Sequence, residues 1–244
     1  MTSRLPKAQE RTAGLDGVIF DKDGTLFDFR QSWGGWVARL VRGLAADEGE
    51  AAALADRVGH DLAAAAFRRD SPVIAGTPDD VADALLPALP GLTRAALIGR
   101  MNALAETTPM AEAVPLVPAL TALRTRGLRL GLATNDGEGP ARAHLAAHGV
   151  AKLFDFVAGY DSGHGAKPGP GMLLAFAARF ALAPARVAIV GDSRHDLMAG
   201  RAAGMRTVAV LTGVAEAAEL APLADAVLTD IGGLAAWIDA LPPA

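Results

Sequence analysis

From about residue 116 to its end, the chain alternates nearly continuous apolar runs with stretches that have the periodicity of helices. Two of the apolar runs are LRLGLAT (128–134) and RVAIVGD (186–192). Strands that helices cover on both faces are apolar along their whole length, whereas a strand with one face in water alternates apolar and polar residues. The pattern therefore predicts an open α/β sheet of parallel strands with right-handed crossovers. The predicted strands cover 16–21, 128–134, 154–160, 186–192, 207–213 and 226–230.

A long helical segment separates the first predicted strand from the others. Residues 29–115 are rich in Ala, Leu and Arg at helical spacing, and no strand pattern interrupts them. A connection of this length exceeds an ordinary βα loop, and its position directly after a group of carboxylates suggests a cap over a site. We predict a core domain formed by 15–28 and 116–244, an all-helical cap domain of 29–115, and a flexible N-terminal tail of 1–14.

The composition is that of a globular protein, and it excludes several kinds of site. The 244 residues are 51% hydrophobic and 20% charged, and the formal net charge of −4 offers no basic surface for capturing nucleic acid. The absence of cysteine excludes disulfides and thiolate nucleophiles. No apolar stretch is long enough to span a bilayer, and the polar beginning lacks the apolar segment of a secretory signal. We expect a cytoplasmic protein that binds neither nucleic acid nor membranes.

Polar side chains follow the predicted strands at the points where the strands end. In open α/β sheets, ligands bind outside the carboxyl ends of the strands. The set found here contains acids, a hydroxyl, an amide and an ammonium group, which together suggest phosphoryl chemistry. These side chains are Asp21, Asp23, Thr134, Asn135, Lys167 and Asp192.

The carboxylates of this set require a cation if a phosphate ester is to bind beside them, because like charges repel. Mg²⁺ fits, since it takes oxygen ligands and is usually held by one or two carboxylates plus substrate phosphate. We predict that the carboxylates of Asp21 and Asp192 hold it, together with the backbone carbonyl of Asp23. Asp21, the first residue past the strand, is the predicted nucleophile that forms an aspartyl-phosphate. Asp23 is predicted to protonate the leaving oxygen and then to take a proton from the water that cleaves the intermediate.

The other residues of the set are predicted to contact the phosphoryl group. Gly24 would let the backbone bend close to it. Thr134, the amide of Asn135 and the ammonium of Lys167 would bind phosphoryl oxygens as charge shifts in the transition state. Asp196 lies one helical turn beyond Asp192, and we predict that it orients Lys167 or a metal-bound water rather than binding metal directly.

Four short motifs carry a resemblance to a known family. DKDGT (21–25), LATND (132–136), AKPGPG (166–171) and VGDSRHD (190–196) resemble motifs one to four of the haloacid dehalogenase-like hydrolase superfamily, in order, spacing and strand context. The resemblance implies a Rossmann-like core, a helical cap inserted after motif one, and Mg²⁺-dependent phosphoryl transfer through Asp21. GYDSGHGAKPGPGM and GDSRHD look most like the phosphoglycolate phosphatase branch. One departure is Lys22, where many relatives have phenylalanine; strand alternation predicts that it points away from the neighbouring acids, and we interpret it as variation.

The function predicted from these residues is a phosphatase that acts on a small phosphorylated metabolite, with 2-phosphoglycolate as the named candidate. A phosphomutase resembling the β-phosphoglucomutase branch stays open, because it would share the core motifs and differ in how well the cap excludes water. A non-enzymatic phosphate-binding module is the alternative from another class. It would be expected to lack at least one of Asp21, Asp23, Lys167 and Asp192, and all four are present. The sequence is compatible with a monomer or a homodimer.

Overall fold

The computed structural model describes residues 14–242, and six of its strands form one parallel sheet. The predicted tail of 1–14 lies outside the described residues except for Gly14. The strands are β1 (Gly17–Phe20), β2 (His60–Asp61), β3 (Ala66–Phe67), β4 (Arg129–Ala133), β5 (Phe156–Ala158), β6 (Val187–Gly191), β7 (Arg206–Val210) and β8 (Ala226–Leu228). Their order in the main sheet is β5–β4–β1–β6–β7–β8, with every neighbouring pair parallel. The structure thus confirms the predicted open α/β fold, and each of the six predicted strands is present.

Helices flank the sheet and make up most of the segment between β1 and β4. They are α1 (Phe29–Leu44), α2 (Glu48–Arg57), α3 (Pro72–Ala75), α4 (Pro78–Leu85), α5 (Arg94–Glu106), α6 (Leu116–Thr125), α7 (Glu138–Ala147), α8 (Gly171–Arg179), α9 (Arg194–Ala203), α10 (Ala217–Leu220) and α11 (Leu234–Asp239). None of the helices in the described part of the chain is both long and apolar enough to cross a membrane.

The central strand β1 shows why the sheet needs cover on both faces. Its four residues are fully buried, and successive side chains of a strand point to opposite faces. Val18 and Phe20 belong to one apolar cluster, while Ile19 belongs to another that contains Phe176 of α8. Burying both faces is what makes such a strand apolar throughout, and it places the carboxyl end of β1 in the middle of the sheet edge.

Residues 29–115, here called the insert, contain α1 to α5 and one short hairpin. The hairpin pairs His60 with Phe67 and Asp61 with Ala66, in two strands of two residues each. Strands this short carry too few residues for an alternating pattern, so the prediction of a purely helical insert missed them. The division of the chain into separate core and cap domains stays a prediction.

The two ends of the insert run side by side where they leave the core. The backbone N–H of Asp28 donates to the carbonyl of Ala111 (2.8 Å), and that of Ala113 donates to Leu26 (2.9 Å). The Asp28 side chain also caps α1 by accepting from the N–H of Gln31 (2.9 Å). These contacts hold the start of α1 close to the loop that follows β1.

Candidate active site

The carboxyl ends of three adjacent strands bring the predicted site residues to one edge of the sheet. Asp21 directly follows β1, Thr134 follows β4 and Asp192 follows β6. All three are buried, with 7%, 2% and 5% of their surface exposed. Because the strands are parallel and neighbours in the sheet, residues far apart in sequence meet here.

Lys167 joins two of the carboxylates from the loop that precedes α8. Its Nζ lies 2.5 Å from Oδ1 of Asp21, 2.6 Å from Oδ1 of Asp196 and 2.7 Å from the carbonyl oxygen of Ala133. An ammonium has three protons, and three acceptors surround this one. Lys167 is therefore oriented fully by the protein, and it lies against the predicted nucleophile.

Asp196 has both carboxylate oxygens occupied by donors. Oδ1 accepts from Lys167, and Oδ2 accepts from the hydroxyl (2.6 Å) and the backbone N–H (3.1 Å) of Ser193, which forms a capping box at the start of α9. This geometry is compatible with the predicted role in orienting Lys167, a role that stays a prediction.

Three buried carboxylates, those of Asp21, Asp192 and Asp196, each place an oxygen within 4.8 Å of the others. Burial raises the pKa of Asp21 to about 7, against the lowering effect of Lys167. Burial also raises the pKa of Asp192 well above its ordinary value, and the charges of Asp21 and Asp196 add to this. Within residues 14–242, Asp192 has no ion-pair partner, unlike the other two. An oxygen-only site with an uncompensated carboxylate fits a hard divalent cation, which would relieve the cost of burying these charges.

Thr134 and Asn135 lie in the site but make different contacts. The Thr134 hydroxyl accepts from the N–H of Asp136 (3.1 Å), which leaves its own proton available to a ligand. The Asn135 side chain is already engaged, since its amide binds both the N–H and the carbonyl of Lys167 (2.8 and 2.9 Å) and the carbonyl of Ala75 in the insert (2.9 Å). Its predicted contact with a phosphoryl oxygen would therefore have to come from the backbone N–H.

Gly24 is required by the turn that follows Asp23. Its φ of +83° lies in the left-handed region, and a Cβ at this position would collide with the carboxylate of Asp192. The Gly24 carbonyl accepts from the hydroxyl of Thr212 (2.6 Å), which ties the turn to the loop after β7. The backbone therefore bends close to the Asp192 carboxylate, and the predicted approach of this backbone to a phosphoryl group stays a prediction.

The prediction that Lys22 points away from the acids was wrong. Its Nζ lies 2.6 Å from Oδ2 of Asp136, 3.1 Å from Oδ2 of Asp23 and 3.0 Å from Nδ1 of His144. Strand alternation does not apply at this position, because β1 ends at Phe20 and Lys22 already belongs to the turn.

Sequence reasoning did not assign four residues that contact Asp23 or its neighbours, namely Lys22, Trp33, Asp136 and His144. Trp33 donates its indole N–H to Oδ1 of Asp23 (2.8 Å). A lysine between two catalytic-type aspartates was the available signal, and its departure from the family pattern could have drawn attention to it.

A cavity lies between the sheet edge and the insert, with an empty volume of about 660 Å³ that is partly open to solvent. Its floor contains the site carboxylates, and its insert side includes Trp33, Trp36, Val73, Ile74, Met101 and Asn102. No arginine of the insert lines it, and every residue of the insert is described. Lys167 and His195 are the basic side chains among the described residues of its wall. Nδ1 of His195 is hydrogen-bonded to the carbonyl oxygen of Ala75 (3.1 Å). The cavity thus combines a charged floor with a mostly apolar roof.

Comparison with known proteins agrees with this architecture. A solved HAD family hydrolase from Deinococcus radiodurans, with bound phosphate and sodium, superposes with a TM-score of 0.63 and 25% identity, covering 95% of this chain and 100% of that one. The phosphoglycolate phosphatase of Escherichia coli is 42% identical over 94 residues, which are 38% of this chain and only 37% of that relative's length. The phosphoglycolate phosphatase of Rhodospirillum rubrum is 33% identical over 227 residues, which are 91% of this chain and 90% of the relative. A family model described as haloacid dehalogenase-like hydrolase matches residues 15–204. The chain belongs to the haloacid dehalogenase-like hydrolases.

Proposed function

We propose that this protein is a Mg²⁺-dependent phosphatase that hydrolyses a small phosphate monoester through an aspartyl-phosphate on Asp21. The observation that carries the proposal is the arrangement of Asp21, which is buried on the cavity floor with Lys167 bound to one oxygen and Asp192 beside it. A carboxylate oriented in this way can attack an electrophile that enters from the cavity.

In the first step, a carboxylate oxygen of Asp21 attacks phosphorus, and the bond between phosphorus and the ester oxygen breaks. Asp23 donates its proton to that leaving oxygen, so that the product departs as a neutral alcohol. Lys167 holds Asp21 in place by a 2.5 Å contact while negative charge moves towards the leaving group.

In the second step, Asp23 takes a proton from water as the water oxygen attacks phosphorus. The bond between Asp21 and phosphorus breaks, inorganic phosphate leaves, and both aspartates return to their starting states. Thr134 and the backbone near Gly24 would bind phosphoryl oxygens during both steps.

The proposal includes a metal ion because buried carboxylates beside an anionic phosphate ester need a cation to compensate their charge. Asp21, Asp192 and the backbone carbonyl of Asp23 would hold Mg²⁺, which would neutralise charge on the phosphoryl oxygens. The support is that Asp192 is buried without an ion-pair partner among the described residues, while its carboxylate lies close to Asp21.

The substrate is a small phosphorylated metabolite, and two candidates have separate support. 2-Phosphoglycolate is the first, because both curated relatives described above are phosphoglycolate phosphatases. A monoester with an uncharged leaving group is the second, because the insert side of the cavity is mostly apolar and no insert arginine lines it. The ratio of kcat/KM for 2-phosphoglycolate to that for glycerol 2-phosphate separates the two candidates.

A phosphomutase of the β-phosphoglucomutase type is the enzymatic alternative. It would return the phosphoryl group to a sugar instead of water. Incubation with β-glucose 1-phosphate distinguishes the two activities, because a phosphatase releases inorganic phosphate and a mutase yields glucose 6-phosphate. A location in the cytoplasm and the oligomeric state stay predictions.

The central test compares wild type, Asp21→Asn and Asp47→Asn on p-nitrophenyl phosphate, with Mg²⁺ and with a chelator. Asp47 caps α2 at an exposed position, and Asn can replace it as a cap, so this variant controls for the loss of one carboxylate. We expect Mg²⁺-dependent turnover by wild type and by Asp47→Asn, and background hydrolysis by Asp21→Asn. Full turnover by a folded Asp21→Asn protein would show that the covalent mechanism is wrong.

A further inference from the structure

Lys22 is a fully buried cation whose protons all have acceptors. Its exposed fraction is 0%, and Nζ contacts Asp136 (2.6 Å), His144 (3.0 Å) and Asp23 (3.1 Å). The ammonium also lies 5.2 Å from the centre of the Trp33 ring, within the range of a cation–π contact. Two carboxylates from different loops therefore share one buried counterion.

Asp23 is held by one donor on each of its carboxylate oxygens. Lys22 contacts Oδ2, and the indole N–H of Trp33 donates to Oδ1 at 2.8 Å. Two donors on opposite oxygens fix the plane of a carboxylate, and that plane decides where its proton is delivered. Trp33 lines the cavity and belongs to the insert, whereas Lys22 lies behind Asp23 and does not line the cavity.

His144 connects Lys22 to the insert. Nδ1 of the ring accepts from the Lys22 ammonium, so the ring proton is assigned to Nε2, which donates to the carbonyl of Ala105 at 2.7 Å. Ala105 lies in the last turn of α5. Both donors on Asp23 are thus in contact with the insert, Trp33 as part of α1 and Lys22 through His144.

Stability alone does not account for a lysine at this position. Burying an ammonium is expensive, and an apolar side chain of similar volume is often neutral or stabilising in place of a buried ion pair. A cation that costs free energy to bury, yet meets three acceptors, is better explained by what it does to Asp23.

We propose that Lys22 is a positioning residue that holds the Asp23 carboxylate in the orientation needed for proton transfer. In this proposal His144 fixes Lys22 in place by bonding it to α5. The inference rests on the proposed function, because it assigns Asp23 the transfer of a proton to the leaving oxygen and from the attacking water. Lys22 does not line the cavity, and it acts on a substrate there only through its contact with the Asp23 carboxylate.

The test is the variant Lys22→Met, which keeps the length of the side chain and removes the charge. The matched control is Arg124→Met, which removes a cation paired with Asp155 near the start of β4, at the opposite edge of the sheet. Each protein is assayed with Mg²⁺ on glycerol 2-phosphate, whose alkoxide must be protonated to leave, and on p-nitrophenyl phosphate, whose phenolate leaves without a proton.

For Lys22→Met on glycerol 2-phosphate, we expect kcat to fall about ten- to hundredfold with KM within about threefold of wild type. On p-nitrophenyl phosphate, release of the first equivalent of nitrophenolate should stay within about threefold of the wild-type rate, because that step needs no acid. A slow steady phase should follow, since water activation by Asp23 is impaired. Arg124→Met should behave like wild type on both substrates.

Two results would overturn the proposal. One is wild-type kcat for Lys22→Met on glycerol 2-phosphate. The other is an equal fall in the burst and in the steady phase, which indicates general damage to the site. If wild type hydrolyses neither ester, the proposed function itself has failed, and this outcome is distinct from both.

A pair of variants at His144 tests the same proposal if Lys22→Met does not fold. His144→Phe removes the third acceptor of Lys22 and the bond to Ala105, whereas His144→Gln offers an amide oxygen and an N–H in their place. We expect His144→Phe to lower kcat on glycerol 2-phosphate by a larger factor than it lowers the rate of the nitrophenolate burst. His144→Gln should have a kcat on glycerol 2-phosphate much closer to that of wild type. Equal activity of the two variants would contradict the link through His144.

Discussion

His144 should make the free energy of unfolding depend on pH between neutrality and about pH 4. The residue is 2% exposed, and burial lowers its pKa from 6.5 to about 4, with the positive charge of Lys22 as the next cause. The other groups that face it are the Ala105 carbonyl and Asp136, which raise the pKa, and His148, which lowers it. His148 is in turn bound to Glu112 (2.9 Å).

The direction of the effect follows from where the proton binds. Above about pH 6.5, His144 is neutral in both the folded and the unfolded protein, and it makes no difference to their balance. Below that pH, His144 is protonated in the unfolded chain, whereas in the folded protein it stays neutral down to about pH 4. The free energy of unfolding therefore falls as the pH falls. One unit of pKa difference corresponds to about 1.4 kcal/mol, so lowering the pH from 7.5 to 5 should cost about 2 kcal/mol through His144.

The assay is urea unfolding of wild type and His144→Gln across this pH range. Gln is neutral throughout and can retain both hydrogen bonds, to Lys22 and to Ala105, so we expect similar stabilities at pH 7.5. At pH 5 the wild type should have lost about 2 kcal/mol more than the variant, which is a shift of roughly 1 M in the urea midpoint. Comparing the two proteins removes the contributions of the site carboxylates, which titrate in both. Parallel loss of stability by wild type and variant would refute the reasoning.

Three further substitutions test other contacts. Gly24→Ala should abolish turnover while leaving the circular dichroism spectrum unchanged, because the new Cβ meets Asp192 and the φ of +83° disfavours it; an active Gly24→Ala enzyme would contradict the geometry of the turn. Asn135→Ala should lower kcat about ten- to hundredfold, since it frees the backbone on both sides of Lys167, and unchanged kcat would show that these bonds are dispensable. Phe176→Ala should destabilise the fold by about 3–5 kcal/mol in urea unfolding, and a cost well below this range would mean that the core closes around the gap.

The fold could be predicted because its signal is local in the sequence. A strand covered on both faces is apolar at every position, as in β6, and the helices between such strands have their own periodicity. The same pattern predicted that Asp21, Thr134 and Asp192 would meet, since parallel strands end at one edge of the sheet. The two-residue strands of the hairpin left no such pattern, and only the structure shows them.

The contacts among site residues could not be predicted in the same way. Residue types and strand ends indicated which groups gather, but hydrogen bonding depends on how each loop leaves its strand. Because β1 ends at Phe20, Lys22 turns inward to Asp23 and Asp136 instead of following the alternation of the strand. The side-chain amide of Asn135 is likewise directed to the backbone of Lys167.

The sequence by itself determined the parallel sheet, the position of the insert, and the acids, hydroxyl and ammonium that gather at the sheet edge. These properties follow from burial and periodicity, which each segment carries on its own. The tertiary structure alone decided that Lys22 is a shared counterion, that His144 is neutral and bound to α5, and that the insert presents a mostly apolar wall to the site. Each of these depends on groups brought together from distant parts of the chain, whose distances and local dielectric no single segment specifies.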